Sequence, residues 1–519
     1  MKYRIIASYI LVSIIFSCLY GCFVKKQEET PKEEVVVLKW AVVSPGEQQD
    51  TTLVWEKFNE ELEKYLPGTR VEFEYFETGD YGEKWKLMSA SQTDMDIVWT
   101  GYMIDYVSEV KKGFYMPLDD LIDKYAPALK EEIPEEMLAL QRVDGKLYSI
   151  PCMQQMVSYV STLSFDVNMY EKYKEYINPE ELAAFFSSHE KMDKACWDKM
   201  EEYVKLFYEN GDLPNGVKGF ESHAEKGYEW VRNPYKIEDS GDDYTVINYY
   251  RTPEYKLFVD TYSDWYKKGY IRKDVLKKDL AEDAPYNIKG SGGYLIGQGF
   301  VPSEGIVKTA EENGEQIYVD IPFDNEHYIP SMAAATSTAI STNCKNPERA
   351  IKLIELMNTE KGKDLYNLLV YGIEGIHYSK TEDGKIIPVG YDAKGAPHKE
   401  TTPYGQYKWA VGNTFNAYEI YSEDENKLLT KEFIKSVNEN ARTSKLMGFK
   451  LNTDPIKDEL KQIDAVVNEY KVILNSGSAE DCEALYNEFV NKLMMAGDDK
   501  VVAEINRQID EWRKSEQGK

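Results

Sequence analysis

The sequence has little positive charge for its size. Its 519 residues include 62 Lys and Arg against 90 Asp and Glu, a formal net charge of −28 at pH 7. Because so acidic a surface repels phosphate backbones, we expect no nucleic-acid partner. The mean hydropathy is −0.54, and only one apolar run, near the N-terminus, approaches the length of a membrane-spanning helix. This excludes a polytopic membrane protein, and a hydrophobic content of 42% excludes a mostly disordered chain.

Histidine and the motifs of common catalytic sites are scarce. The five His residues form no i, i+4 pair, so the sequence does not predict a zinc enzyme. No Gly-x-Ser-x-Gly elbow or Walker loop occurs, and the Gly-rich stretch 290–293 lacks the third glycine of a dinucleotide motif because Leu295 takes its place. Pairs of carboxylates such as Asp94 and Asp96 are expected by chance among 90 acids. We therefore predict no catalytic site and no cofactor.

Cysteine is also rare, and no two of the six residues form a C-x-x-C pair. Four lie beyond the N-terminal region, in separate predicted elements: Cys152, Cys196, Cys344 and Cys482. This spacing predicts isolated buried thiols and leaves a single disulfide open, but it does not favour a metal site.

The N-terminus has the features of a lipoprotein export signal. Lys2 and Arg4 precede an apolar stretch over residues 5–16, and residues 19–22 read Leu-Tyr-Gly-Cys. An apolar residue, a small residue and then Cys form a lipobox, although a tyrosine is bulky for the position that it takes here.

We predict a signal peptide over residues 1–21, lipidation of the Cys22 thiol, and a flexible tether over 22–35 that has little to bury. Two alternatives stay open. Processing at Cys18 is one, and a single-pass membrane anchor is the other, although the apolar run is short for an anchor.

Strand and helix patterns alternate in the N-terminal part of the chain. Residues 35–43, 71–76 and 96–99 have strand patterns, and helical patterns occur around 54–66 and 85–88. This rhythm predicts an α/β fold with a mostly parallel sheet.

Ligands of such sheets bind beyond the carboxyl ends of the strands, which are residues 44–48 and 99–105 here. The chain contains 40 Tyr, 18 Phe and 9 Trp, and aromatic faces with nearby amides suit sugar rings and their hydroxyls. For each Trp, packing in the core is the alternative. The candidate ligand-binding residues are Trp40, Trp99, Tyr102, Gln154, Gln155, Trp230, Trp265, Trp409 and Asn413.

The C-terminal residues have a different pattern. Apolar stripes over 456–474, 485–493 and 502–512 predict three amphipathic helices separated by Gly477 and Gly497. Three such helices cannot each hide an apolar face alone, so we expect them to pack on the rest of the chain.

Several stretches resemble one family. They are residues 84–91 before Asp96 and Ile97, 113–121 (GFYMPLDDL), 145–151 (GKLYSIP), 345–350 and 371–378. Together they resemble the extracellular solute-binding lipoproteins of bacterial ABC importers, in the sugar-type family-1 branch and the subgroup with a long C-terminal domain of unknown function.

The resemblance implies a two-lobe, type II periplasmic-binding-protein architecture that closes by hinge motion on a ligand in the cleft. Hinge crossovers are expected near 151–162 and 333–341. The implied domains are a first lobe over 36–150 plus 340–375, a second lobe over 151–339 plus 376–450, and a C-terminal helical segment over 451–519.

The same resemblance implies a substrate-binding component, anchored by lipid at the extracytoplasmic face of the cell membrane. Its expected partners are an oligosaccharide or other carbohydrate and the permease subunits of an ABC importer. Two alternatives stay open: a surface enzyme that degrades glycans, or the same fold with a peptide or lipid-derived solute. A cleft lined by acids instead of aromatics would favour basic peptides.

Overall fold

The computed structural model describes residues 35–91, 93–157, 162–212, 225–276, 308–312, 315–322, 328–331, 336–391, 395–421 and 430–517. The predicted signal peptide, Cys22 with the tether as far as residue 34, and the Gly-rich stretch 290–293 lie outside these residues. Within the described ranges, no helix has both the length and the apolar character that a bilayer crossing requires.

The strands are β1 (Val36–Ser44), β2 (Thr69–Glu77), β3 (Ile97–Gly101), β4 (Arg142–Val143), β5 (Lys146–Leu147), β6 (Ser149–Pro151), β7 (Thr162–Asp166), β8 (Tyr228–Arg232), β9 (Tyr235–Glu238), β10 (Ile247–Asn248), β11 (Lys308–Glu312), β12 (Glu315–Pro322), β13 (Tyr328–Ile329), β14 (Thr336–Ile340), β15 (Tyr378–Lys380), β16 (Ile386–Pro388) and β17 (Arg442–Thr443).

The α-helices are α1 (Thr51–Tyr65), α2 (Tyr81–Ala90), α3 (Tyr106–Lys111), α4 (Asp119–Tyr125), α5 (Leu129–Glu132), α6 (Glu135–Ala139), α7 (Val167–Tyr173), α8 (Pro179–Ser187), α9 (Lys194–Glu209), α10 (Pro253–Lys268), α11 (Pro347–Asn358), α12 (Lys363–Tyr371), α13 (Lys431–Asn440), α14 (Lys457–Ser476), α15 (Cys482–Met495) and α16 (Asp498–Gln517). Short 3₁₀ turns lie at Tyr249–Arg251, Glu360–Gly362, Lys408–Ala410, Thr414–Asn416 and Asp454–Ile456.

A five-stranded sheet forms the centre of the first lobe, with strand order β2-β1-β3-β14-β6. Strands β2 and β3 run parallel to β1, whereas β14 is antiparallel to both β3 and β6. The α/β prediction is confirmed, and the three strands expected in this region of the sequence are β1, β2 and β3. Strand β14 joins them from about 240 residues further along the chain, which brings the end of β3 beside Ser337.

The second lobe has a different sheet arrangement. Strands β7, β12 and β11 form one antiparallel sheet, and β8, β9 and β10 form another. Helices α8, α9 and α10 contribute aromatic side chains to the second core. Trp197 and Trp265 are almost completely buried there among Phe and Tyr rings.

The first core extends beyond the predicted boundary of its lobe. Side chains of residues 378–417, including Tyr378 and Ile386, belong to the same buried cluster as strand β1. Backbone and amide hydrogen bonds hold this segment: Gln48 accepts from the Gly405 amide at 2.8 Å and donates to the His398 carbonyl at 3.1 Å. Residues 376–391 and 395–421, which the sequence prediction placed in the second lobe, therefore pack on the first.

The C-terminal helices α14, α15 and α16 pack into the second core, as their apolar stripes predict. Gly477 ends α14 in the left-handed region, with φ of +65°, and its backbone lies so close to the Tyr262 carbonyl that a Cβ atom would stand 2.2 Å from the oxygen. The segment predicted as a separate C-terminal unit thus shares one core with the second lobe.

The last crossing between the lobes lies further along the chain than the predicted boundary after residue 375. It leaves the first sheet after β6 and returns at β14, near both predicted crossovers. A further connection passes through α13 and β17, where Val437 packs with Val157 and Ile329 in a small cluster, here called the hinge core.

The four cysteines of the described ranges, Cys152, Cys196, Cys344 and Cys482, are buried and form no disulfide. The prediction of isolated buried thiols is confirmed for these residues.

A buried carboxylate joins α16 to the second lobe. Asp498 has no exposed surface and accepts hydrogen bonds from Tyr235 at 2.8 Å, from Asn248 at 2.7 Å and from Arg251 at 2.7 Å. The neighbouring Asp499 also pairs with Arg251, but its side chain is 70% exposed.

We expect Asp498→Ala to lower the free energy of unfolding by about 3 kcal/mol, because it leaves the buried Tyr235 and Asn248 donors without their acceptor. Asp499→Ala is the matched control and should cost less than about 1 kcal/mol, as for other exposed ion pairs. Urea and thermal unfolding of the two variants test this. Equal losses would show that the buried network does not stabilise the helix contact.

Candidate functional site

A cavity of about 610 Å³ lies between the two lobes, and we call it the cleft. From the first lobe it is lined by residues 101–107, Gln141 and Ser337. From the second it is lined by Trp230, Val231, Arg232, Ser331, Leu446, Phe449, Lys450, Leu451, Thr453, Lys457, Leu460, Lys461 and Asp464. A cavity of this size has room for a small solute with aromatic and charged groups around it.

The first-lobe wall of the cleft follows from the end of strand β3. Beyond Gly101 the chain turns into α3, whose N-terminus is capped by Asp105 through the Ser108 amide at 3.1 Å. This turn leaves Tyr102 half exposed in the lining. The sequence predicted that residues beyond this strand line a ligand site, and they do line the cleft. The other predicted edge, residues 44–48, does not line the cleft, because residues 398–405 cover it.

Tyr102 stands on an aromatic cluster. Its ring centroid lies 5.8 Å from that of Trp99 and 6.5 Å from that of Trp409, and the two Trp rings are 6.0 Å apart. Trp99 is completely buried, whereas Trp409 is half-buried and stacks on Tyr407 at 5.3 Å. The cluster restricts the orientation of Tyr102, which is the member that the cleft exposes.

Trp230 provides the facing aromatic ring from strand β8. Its indole nitrogen donates to Glu225 at 2.9 Å, and the Lys236 ammonium lies 4.1 Å from the ring centroid. Lys236 and Glu225 are themselves a buried ion pair at 2.6 Å. These contacts fix the indole, of which 37% remains exposed at the cleft.

Two contacts cross the cleft from the C-terminal segment to the first lobe. The Thr453 hydroxyl donates to Asp105 at 2.7 Å, and the Lys450 ammonium lies 5.6 Å from the centroid of the Tyr106 ring. Tyr106 is held in place by donating to the Gln141 carbonyl at 2.7 Å. Residues 450–453 therefore form one side of the cleft and touch the other.

Burial shifts the pKa values of one lysine and two tyrosines in the cleft. Burial lowers the pKa of Lys450 to about 8. Burial also raises the pKa of Tyr102 and of Tyr106 above the usual value for a phenol, so both hydroxyls stay protonated at neutral pH. Both can thus donate and accept hydrogen bonds there.

The structure brings two of the predicted residues, Tyr102 and Trp230, into the cleft. Trp99 and Trp409 support Tyr102 without lining the cavity. Trp40 and Trp265 have no exposed surface, because they lie in the first and second cores. A completely buried side chain cannot touch a solute, so we remove both from the proposed site.

The predicted amides lie elsewhere. Gln154 and Gln155 are in the crossover after β6, where the Gln154 side chain donates to Thr336 at 2.9 Å and that of Gln155 to the Val157 carbonyl at 3.3 Å. Asn413 is almost completely buried and accepts from the Phe415 amide at 3.0 Å as the cap of a 3₁₀ turn. Gln154 and Gln155 therefore belong to the crossover and Asn413 to a 3₁₀ turn, and none of the three lines the cleft.

The sequence did not predict that the C-terminal segment lines the cleft. Lys457, Lys461 and Asp464 share one face of α14, at the i, i+4 and i, i+7 spacing, while the apolar stripe of that helix packs into the core and Leu460 lies at the edge between the two. The polar face of an amphipathic helix is ordinarily solvated, so spacing alone gave no signal that this one lines a cavity.

Outside the cleft, one group in the described ranges has metal-ligand chemistry. His189, Asp193 and Cys196 place their ligand atoms within 4.8 Å of one another. Asp193 also caps α9 through the Cys196 amide at 3.0 Å, and the His189 ring bonds the Phe185 carbonyl at 2.9 Å, so helix-end geometry explains the grouping.

Comparisons with known proteins fit this geometry. Residues 46–364 match the family model described as bacterial extracellular solute-binding protein. The chain belongs to this family. Residues 445–514 match a domain of unknown function, DUF3502, so both parts of the resemblance seen in the sequence are confirmed.

Among curated relatives, a carbohydrate ABC transporter substrate-binding protein of Streptococcus pneumoniae is 26% identical over 451 residues, which cover 86% of this chain and 85% of the relative. The solved structure of the N-glycan transport solute-binding protein NgtS from S. pneumoniae is similar, with a TM-score of 0.70 at 22% identity, covering 93% of this chain and all of that one.

The S. pneumoniae protein FusA, solved in complex with kestose, has a TM-score of 0.59 at 16% identity, covering 92% of this chain and 100% of that one. At these identities the likeness to solved structures is one of fold, and it confirms the predicted two-lobe architecture.

Asn438 on α13 fixes the crossover after β6. Its amide donates to the Gln154 carbonyl and accepts from the Met156 amide, at 2.9 and 3.0 Å. We expect Asn438→Ala to lower the free energy of unfolding by about 1–3 kcal/mol because two hydrogen bonds at the hinge core are lost.

The matched control is Asn440→Ala on the same helix, since the Asn440 amide donates to Ser436 within α13 and is exposed. Thermal unfolding of both variants measures the difference. A cost for Asn440→Ala equal to that for Asn438→Ala would contradict the assigned role.

Proposed function

We propose that this protein is the substrate-binding component of an ABC importer and that it captures an oligosaccharide in the cleft for delivery to a membrane permease. The observation that carries the proposal is the pair of fixed aromatic side chains, Tyr102 and Trp230, exposed from opposite lobes of one cavity. Closure of the two lobes around a sugar would place its ring between them and stabilise the closed form, which a permease can recognise.

The lining supplies the other groups that sugars require. Tyr102 carries a protonated hydroxyl, and Ser331 adds a half-buried hydroxyl beside the aromatic surface. Aromatic faces contact sugar C–H groups, and hydroxyls and amides pair with the sugar hydroxyls. Relatives whose names specify carbohydrate transport support the same substrate class.

The alternatives have less support. A basic peptide needs acids in the cleft, but the described part of the lining contains four basic and two acidic side chains. Those two acids, Asp105 and Asp464, are already engaged by Thr453 and Arg232. A retaining or inverting glycosidase needs two free carboxyl groups across the sugar, so we propose capture without hydrolysis.

We expect Tyr102→Ala and Trp230→Ala each to weaken binding of an oligosaccharide by about tenfold or more, because each removes an aromatic surface that the structure has already oriented. The measurement is isothermal titration calorimetry of the mature chain with a panel of oligosaccharides, preceded by a thermal-shift screen. A ligand at about 100 times Kd stabilises the native state by about 2.7 kcal/mol.

Tyr176→Ala is the control, since Tyr176 is 69% exposed and does not line the cleft. Recovery of the bound glycan intact supports capture. Degraded glycan would instead support the enzyme, and binding of peptides without binding of sugars would overturn the proposed substrate.

We also propose that the mature protein is anchored at the extracytoplasmic face through lipid on Cys22. Cys22→Ser should abolish metabolic labelling with palmitate and release the protein from the membrane fraction, because the thiol is the acylated group. Cys18→Ser is the matched control and should leave both unchanged. Loss of labelling in Cys18→Ser alone would move the lipid to that cysteine.

A further inference from the structure

The domain of unknown function forms a large part of the cleft. Nine of the 22 lining residues lie within residues 445–514, the segment that matches it. They come from the loop before α14 and from one face of that helix. The domain therefore touches any solute that fills the cleft, in addition to completing the core of the second lobe.

Three of these nine residues are lysines: Lys450, Lys457 and Lys461, which we call the lysine cluster. Among the described residues, none of the three ammonium groups has a carboxylate within 4 Å, although the acidic surface pairs many other lysines. Lys457 and Lys461 are one helical turn apart on α14, so both reach the same side of the cleft.

The acids of the lining do not neutralise the cluster. Asp464 pairs with Arg232 at 3.3 Å, and Asp105 caps α3 and accepts from Thr453. Among the lining residues that the structure describes, four basic and two acidic side chains thus leave a positive excess of two, whereas acids outnumber bases by 90 to 62 in the whole chain. An excess of the minority charge in a ligand cavity is not expected from composition.

An ammonium that has left bulk water without gaining an anion is costly. Lys450 is in this position: it is half-buried, its nearest identified contact is the Tyr106 ring, and burial lowers its pKa. An anionic group bound beside Lys450 would offset that cost, and the ring can hold the ammonium in place until it arrives.

We propose that the domain of unknown function selects the solute, and that its lysine cluster binds a carboxylate carried by the oligosaccharide. The solute class is then an acidic sugar chain, such as one containing a uronic acid. Tyr102 and Trp230 contact the sugar rings, and the lysine cluster contacts the acid. This inference rests on the proposed function and specifies its substrate.

The test compares matched probes. Short oligogalacturonate, oligomannuronate and sialyllactose are each titrated into the protein beside their methyl esters, which keep the sugar and remove the charge. We expect each acid that binds to do so at least tenfold more tightly than its ester, and added salt to weaken the acid alone. Equal affinity for acid and ester would overturn the inference.

Variants locate the effect. Lys457→Gln, Lys461→Gln and Lys450→Met should each weaken binding of the acid several-fold and leave that of the ester unchanged. Lys471→Gln is the control, because Lys471 is on the same helix but outside the lining. If the three variants weaken acid and ester equally, or none weakens the acid, the inference is wrong.

The pH dependence adds a readout that a structural role would not produce. The anion binds the charged form of Lys450, so affinity for the acid should be constant below the pKa of about 8 and fall as pH rises above it, by no more in total than Lys450→Met costs. The other charged groups at the cleft are Asp105, Arg232, Lys457, Lys461 and Asp464, and the phenols are Tyr102 and Tyr106. Lys450→Met should remove the dependence between pH 7 and 9.

The outcomes separate the two proposals. Binding of neutral oligosaccharides only would overturn the acidic-sugar inference and leave oligosaccharide capture standing. No binding by any saccharide, acidic or neutral, would overturn both.

Discussion

The division of the buried apolar side chains into two cores is the constraint on which the site depends. Each lobe buries its own aromatic and aliphatic residues, and the described parts of the segments that join the lobes pack in the small hinge core around Val157, Ile329 and Val437. A single continuous core would leave no space between the sheets. Because each core is complete in itself, the lobes can meet along polar and half-exposed side chains, and the cleft lies there.

The long-range strand β14 connects this division to the site. It leaves the second lobe, enters the first sheet antiparallel to β3, and places Ser337 beside Thr100 at the point where β3 gives way to Tyr102. Local packing then orients the aromatic side chains. Trp99 and Trp409 support Tyr102, and an ion pair of Lys236 and Glu225 supports Trp230. The orientation of the two exposed rings therefore depends on side chains that do not line the cavity.

The sequence predicted the fold better than the site for physical reasons. Strands β1, β2 and β3 and the helices of the C-terminal segment have strong periodic patterns that depend on burial alone, and their positions agree with prediction. Residues that contact a solute do not recur with the period of a strand or a helix, so the hydrophobic pattern does not identify them. Trp40 and Tyr102 both stand near strand ends in the sequence, yet one is completely buried and the other half exposed. The difference is one of position: Trp40 lies in the middle of β1 and packs on Phe73 in the first core, whereas Tyr102 follows the end of β3.

The C-terminal helices show how a stabilising element acquires a second role. Their apolar faces are required by the second core, and Asp498 fixes α16 to Tyr235, Asn248 and Arg251. Once α14 is held by its apolar face, the direction of its polar face is fixed, and Lys457, Lys461 and Asp464 line the cleft. Substitutions on that polar face change the charge of the cavity at little cost to the core.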